Sequence, residues 1–184
     1  MEDRDINTVK LLISKGADVN AKNNNGVSLL HWAAHDGLIE TAQYLLSKGA
    51  DVNIKNNFGE TPLFEAVKND QIEAVELLLS KGADINAADN VKVTPLHWAA
   101  QNDYLQMADL LIYKGVDVNA RNDAGETPLH KAVLKGHKEM VNLLINNKAD
   151  VNIKDKHEHP PLYYALEEGY TDIAELLKKQ AAVE

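Results

Sequence analysis

Seven histidines and an evenly spaced series of aspartates are the residues whose types and spacing could do chemistry. His31, His97 and His130 recur in one sequence context, and imidazoles can act as general bases or metal ligands. His157-Glu158-His159 places two imidazoles and a carboxylate together, all suitable donors for a divalent metal. Asp18, Asp51, Asp84, Asp117 and Asp150 read at first as a ladder of carboxylates. None of these grows into a site. Histidines at i and i+2 on a loop have no third ligand fixed beside them, and no serine or threonine has a base partner at a readable spacing. The glycines in Asn25-Gly26 and Asp36-Gly37 mark turns, not a phosphate-binding loop. The chain has no cysteine, which excludes thiol catalysis, disulfides and zinc–thiolate sites and permits a reducing compartment. The expectation is therefore no catalytic residue, no metal and no cofactor: the chain is not an enzyme.

The elements that position these residues explain their spacing. Gly16-Ala17-Asp18-Val19-Asn20 recurs at Gly49 to Asn53, Gly82 to Asn86, Gly115 to Asn119 and Lys148 to Asn152, each copy 33 residues after the last. A second marker keeps the same step: Ser28-Leu29-Leu30-His31, Thr61-Pro62-Leu63-Phe64, Thr94-Pro95-Leu96-His97, Thr127-Pro128-Leu129-His130 and Pro160-Pro161-Leu162-Tyr163. Thr61 or Thr94 can cap a helix, and the proline after it suits the first helical position, where a missing N–H is no loss. A short helix then carries Leu63, Ala66 and Val67. A second, near Ile72 to Ser80, carries Ile72, Val75, Leu78 and Leu79 on one face, and Gly82 ends it in a left-handed cap. Polar turn residues make an extended finger before the next unit. In this frame the aspartates follow the helix cap as hydrogen-bonders of the finger, and Asn20, Asn53, Asn86, Asn119 and Asn152 close the same turns. One such unit cannot bury its own apolar face and must stack on neighbours.

Through these TPLH and GADVN motifs the chain resembles the ankyrin-repeat family, whose repeat period and TPLH pattern match over essentially its whole length. The resemblance implies an all-α ankyrin-repeat solenoid: helix–turn–helix units with projecting hairpin fingers in a gently curved array. It also implies a structural role for His31, His97 and His130, with each imidazole bonded to finger backbone and tying units together. The expected organisation is a single domain over 1–184. A partial N-terminal unit spans 1–22, full repeats span 23–55, 56–88, 89–121 and 122–154, and a C-terminal capping repeat spans 155–184. Met1 either opens an irregular cap or marks a cut from a longer array. One second-helix position reads Ile13, Leu46, Leu79, Ile112 and Ile145, then Lys178, as a terminal cap requires. Lys92 and Glu158 replace finger glycines, Lys148 replaces the helix-ending glycine, and Leu29 replaces the first-helix proline.

The formal net charge of −9 argues against nucleic acid or an anionic membrane surface as partner. No apolar run approaches the roughly 18 residues of a membrane helix, and Met1-Glu2-Asp3-Arg4-Asp5 is no signal peptide. What the family implies instead is an intracellular, cytoplasmic, monomeric protein that binds a protein partner. The Asn-, Lys- and Ile-rich wording would also suit an intracellular bacterium delivering the protein to a host cell.

Function in a repeat array lies where the repeats differ. Two variable tracks are expected on the concave side, the finger tips and the outward face of the first helices. Together they supply Val27, Trp32, His35, Phe58, Glu60, Val91, Val93, Trp98 and Gln101 as partner-binding residues, with Arg121, Lys131 and Lys135 as a more charged edge. Glu65 and Lys131 share a track with Trp32, Trp98 and Tyr164, and a position that accepts both charge and indole is not deep core. The bland alternative is that the tryptophans merely pad neighbouring first helices. A second function also stays open: a structural array, fragment or engineered scaffold without its own specific partner.

Overall fold

A computed structural model describes residues 2–181 and the side chains of residues 6–181. The ends assigned above to Met1 and to residues 182–184 lie outside the described residues. Eleven helices are present among them: α1 (Glu2–Ser14), α2 (Leu29–His35), α3 (Ile39–Ser47), α4 (Pro62–Lys68), α5 (Ile72–Ser80), α6 (Pro95–Gln101), α7 (Leu105–Tyr113), α8 (Pro128–Leu134), α9 (Lys138–Asn146), α10 (Pro161–Glu167) and α11 (Thr171–Ala181). The nearest thing to a strand among the described residues is one bridge between Lys22 and Ser28.

The expected grammar holds element by element. Ser28, Thr61, Thr94 and Thr127 each cap a seven-residue first helix, the hydroxyl accepting from the backbone N–H three residues on. Proline opens α4, α6, α8 and α10. Leu29 leaves α2 the same length without it. Isolated helices this short are marginal in water, so their stability comes from packing.

By its contacts the chain divides into two compact units, residues 1–90 and 91–184. In the first, α2 packs on α3 and α4, α4 on α5, and α3 on both α1 and α5. In the second, α6 packs on α7 and α8, α8 on α9 and α10, α9 on α7 and α11, and α10 on α11. One position shows what this packing does. Leu45, Leu78, Leu111, Leu144 and Leu177 are all buried, at no more than 1% exposure, whereas their equivalent Leu12 is 48% exposed. Among the described residues, no helix precedes α1 to pack over it. At the other end, the apolar seam position turns to Lys178, which is exposed, whereas its equivalent Ile145 is buried.

Hydrogen bonds join the turns. Asp18 Oδ1 accepts from the Asn20 amide at 2.9 Å, as the turn reading requires. The asparagine side chain goes further than that reading supposed. Asn20 Nδ2 donates to Gly49 O at 3.2 Å, and its Oδ1 accepts from Asp51 N at 2.8 Å. Asn53 makes the same pair of bonds to Gly82 and Asp84, and Asn119 to Lys148 and Asp150. The side chain therefore bridges to the following repeat while its backbone closes its own turn.

The left-handed turns are where sequence and backbone disagree most. Lys92, Lys148 and Glu158 keep the φ of the glycines they replace, at 60°, 68° and 62°. Asp70 and Asp103 do the same between first and second helix, at 53° and 58°, where Gly37, Gly136 and Gly169 stand in other repeats. Those two were not singled out from the sequence. Each such residue costs roughly 1 kcal/mol relative to glycine.

Candidate functional site

The histidines of the repeated motif come first, because they set the rest of the face. Ser28 N donates to His31 Nδ1 at 3.2 Å, which makes Nδ1 an acceptor and leaves the proton on Nε2. Nε2–H then donates to Glu60 O at 3.0 Å, in the next finger. His97 bonds Thr94 and Glu126 O in the same way, and His130 bonds Thr127 and His159 O. All three rings are buried. Burial lowers His31 and His130 below the ordinary imidazole value, against the raising effect of their carbonyl partners. They are neutral braces, as the motif implied.

In residues 1–90 the structure brings several expected groove residues together. Val27, Trp32 and His35, with His31, Asp36 and Glu65, line an open cleft of about 240 Å³. Trp32 is 37% exposed and Phe58, on the finger of the following repeat, 63%. His35 Nδ1 lies 2.7 Å from Asp36 Oδ1. Glu65 belongs to an ion cluster: Lys68 Nζ is 2.8 Å from Glu60 Oε1 and 3.7 Å from Glu65 Oε1. Asn56 also donates to Glu60, at 2.8 Å. Burial pushes the Glu60 carboxyl up, but the bonds from Lys68 and Asn56 outweigh it and hold it below the usual range. Burial raises Glu65, and the neighbouring Glu60 adds to this against the pull of Lys68. Glu60 is thus occupied by its own repeat. The cleft residues Asp36 and Glu65 lie on the same variable first-helix track as Trp32 and His35.

In residues 91–184 the equivalent face is built differently. Val91 is 54% exposed, while Val93, Trp98 and Gln101 are half-buried. The Gln101 carbonyl lies 3.1 Å from His137 Nε2. Lys131 pairs with Glu126, which also accepts from Asn122. Burial pushes Glu126 up, and the bonds from Asn122 and Lys131 bring it below its ordinary value. Arg121 is exposed, yet its guanidinium donates to Gly125 O at 3.2 Å and to Lys154 O at 2.7 Å. Lys22 and Lys55 make the same kind of reach to Lys55 O and Ala88 O in the first unit. Of the three basic residues expected at the edge, Lys135 alone is exposed with no such partner among the described bonds. The last repeat replaces the lysine–glutamate pair with Tyr164 donating to Asp155, and burial together with that bond pushes the phenol up to about 12.

His159 stacks on Tyr163, ring centroids 3.6 Å apart. Among the described residues, no three of His, Asp and Glu converge so as to hold a metal. No helix among them is long and apolar enough to cross a membrane.

Comparison with known proteins bears on the repeat fold. No curated protein matches the chain. The family model "Ankyrin repeats (3 copies)" matches residues 1–89, 55–122 and 96–184, which together span the sequence. With the repeated motifs and helix pairs matched by a family model along the sequence, the chain belongs to the ankyrin-repeat family, whose members generally serve as protein–protein interaction modules.

Proposed function

We propose that this protein is a non-enzymatic binding module that holds a protein partner on the face made by its finger tips and first helices. Within residues 1–90 that face offers Val27, Trp32, His35 and Phe58. Within residues 91–184 it offers Val91, Val93, Trp98, Gln101 and Lys135. The observation that carries the reading is the exposure of Phe58 and Trp32, at 63% and 37%. Large rings left in water beside a polar rim are what an interface centre looks like. Glu60, Arg121 and Lys131 take a supporting part, since their charged ends already hold the finger and first helix in place. The chain acts as one cytoplasmic, monomeric repeat array in this reading.

Affinity capture followed by calorimetry tests it. Phe58→Ala, Trp32→Ala and Trp98→Ala should each weaken a captured partner by about 2 kcal/mol or more and leave the circular dichroism spectrum unchanged. A partner bound equally well by all three variants would leave the chain as a structural array.

A further inference from the structure

We propose that the Trp32 cleft receives an arginine side chain of the partner, a deduction that rests on the binding-module reading above. Three features of the cleft point to this chemistry. Its wall includes the partly exposed Trp32 indole beside Val27, which suits the flat, weakly hydrated guanidinium and its aliphatic stem. Its rim is acidic, with Asp36 and Glu65 both lining the opening. The cations already present fall short of the anions. Glu60 and Glu65 share one ammonium, that of Lys68, which sits closer to Glu60 than to Glu65. His35 faces Asp36. Lys22, the other nearby cation, donates to the Lys55 carbonyl on the finger side. A guanidinium lying on Trp32 would bring Glu65 the counter-charge that the fold supplies only at 3.7 Å.

The second unit supplies the contrast. There the residue equivalent to Glu65 is Lys131, and it is matched one to one by Glu126. Trp98 belongs to a face with no acid surplus at this position, so it should ignore a cation that Trp32 binds.

Two indole N–H signals in a ¹H–¹⁵N spectrum, assigned with Trp98→Phe, allow both faces to be read in one sample. N-acetyl-arginine amide is the probe, and N-acetyl-citrulline amide is its uncharged isostere. The Trp32 signal should move saturably with the arginine probe while the Trp98 signal stays put. Citrulline should bind at least about fivefold more weakly, and Glu65→Gln should weaken arginine by about the same factor. Asp36→Asn provides a second variant, at a rim carboxylate outside the Lys68 cluster. The proposal is overturned if the Trp32 signal is still, if both indoles move alike, if citrulline equals arginine, or if neither substitution alters the arginine affinity. A partner that needs Trp32 but is indifferent to Glu65→Gln and Asp36→Asn would sink the arginine assignment alone, leaving the groove as the binding face.

Discussion

Residues 1–90 and residues 91–184 set opposite charges at the same groove position and distribute their backbone strain unequally. At that position Glu65 stands in one and Lys131 in the other. The first surrounds one lysine with two carboxylates, whereas the second pairs one with one. Of the five non-glycine residues with left-handed φ among the described residues, Asp70 belongs to the first unit, and Lys92, Asp103, Lys148 and Glu158 to the second. The difference separates two kinds of constraint. Groove charges vary because stacking does not consult them. Turn residues vary because the neighbouring hydrogen bonds hold the turn even at a cost: Lys148 lacks the glycine, yet its carbonyl still accepts from Asn119.

The comparison can be attacked at several points. The largest effect should come from the histidine braces, which are common to both units. His31→Ala and His130→Ala each strand a buried hydroxyl and a finger carbonyl, at about 3 kcal/mol by urea denaturation. Unequal losses would mean the two units are not braced alike. The pH dependence follows from the lowered pKa values of both histidines. The unfolded chain binds these protons more readily than the folded one. Stability should therefore be full above the ordinary imidazole value of 6.5 and be lost as pH falls below it. Both alanine variants should flatten that limb of the pH profile.

Next in size is removal of the lysines. Lys68→Met leaves two half-buried carboxylates facing each other and should cost about 2 kcal/mol; Lys131→Met leaves one and should cost about 1 kcal/mol. Equal losses by chemical denaturation would erase the contrast between the clusters. Lys148→Gly should gain about 1 kcal/mol and raise the melting temperature by about 2–4 °C in scanning calorimetry. An unchanged value would show that the second unit bears no strain there. The smallest effect belongs to Glu65→Gln. Because the folded-state pKa of Glu65 is raised, its protonated form is favoured in the fold, and stability declines as pH rises just above the ordinary value of 4.5. The substitution should abolish that decline and gain a few tenths of a kcal/mol near neutrality.

Much of this was legible in the residues. The period, the caps at Thr61, Thr94 and Thr127, the bounds of α5 and the bracing histidines all follow from local chemistry, which the repeats restate five times. The candidate site was legible only in outline. Its positions could be read as places where repeats differ, but not what each side chain does there. Lys131 and Arg121 look like an accessible basic edge in one dimension, and only geometry shows their heads turned to Glu126 and to the carbonyls of Gly125 and Lys154. Asp70 and Asp103 escaped notice because aspartate in a turn is unremarkable until its φ is known.

The asparagine bridges have a consequence for how opening of the protein could be followed. The backbone amides of Asp51, Asp84 and Asp150 lie in turns, where hydrogens ordinarily exchange fast, yet each donates to the side chain of an asparagine one repeat earlier. These three protons should exchange slowly with deuterated solvent, and each should be released only when its own joint parts. They are natural reporters, one for each of these three joints, and would tell unzipping from one end apart from opening all at once.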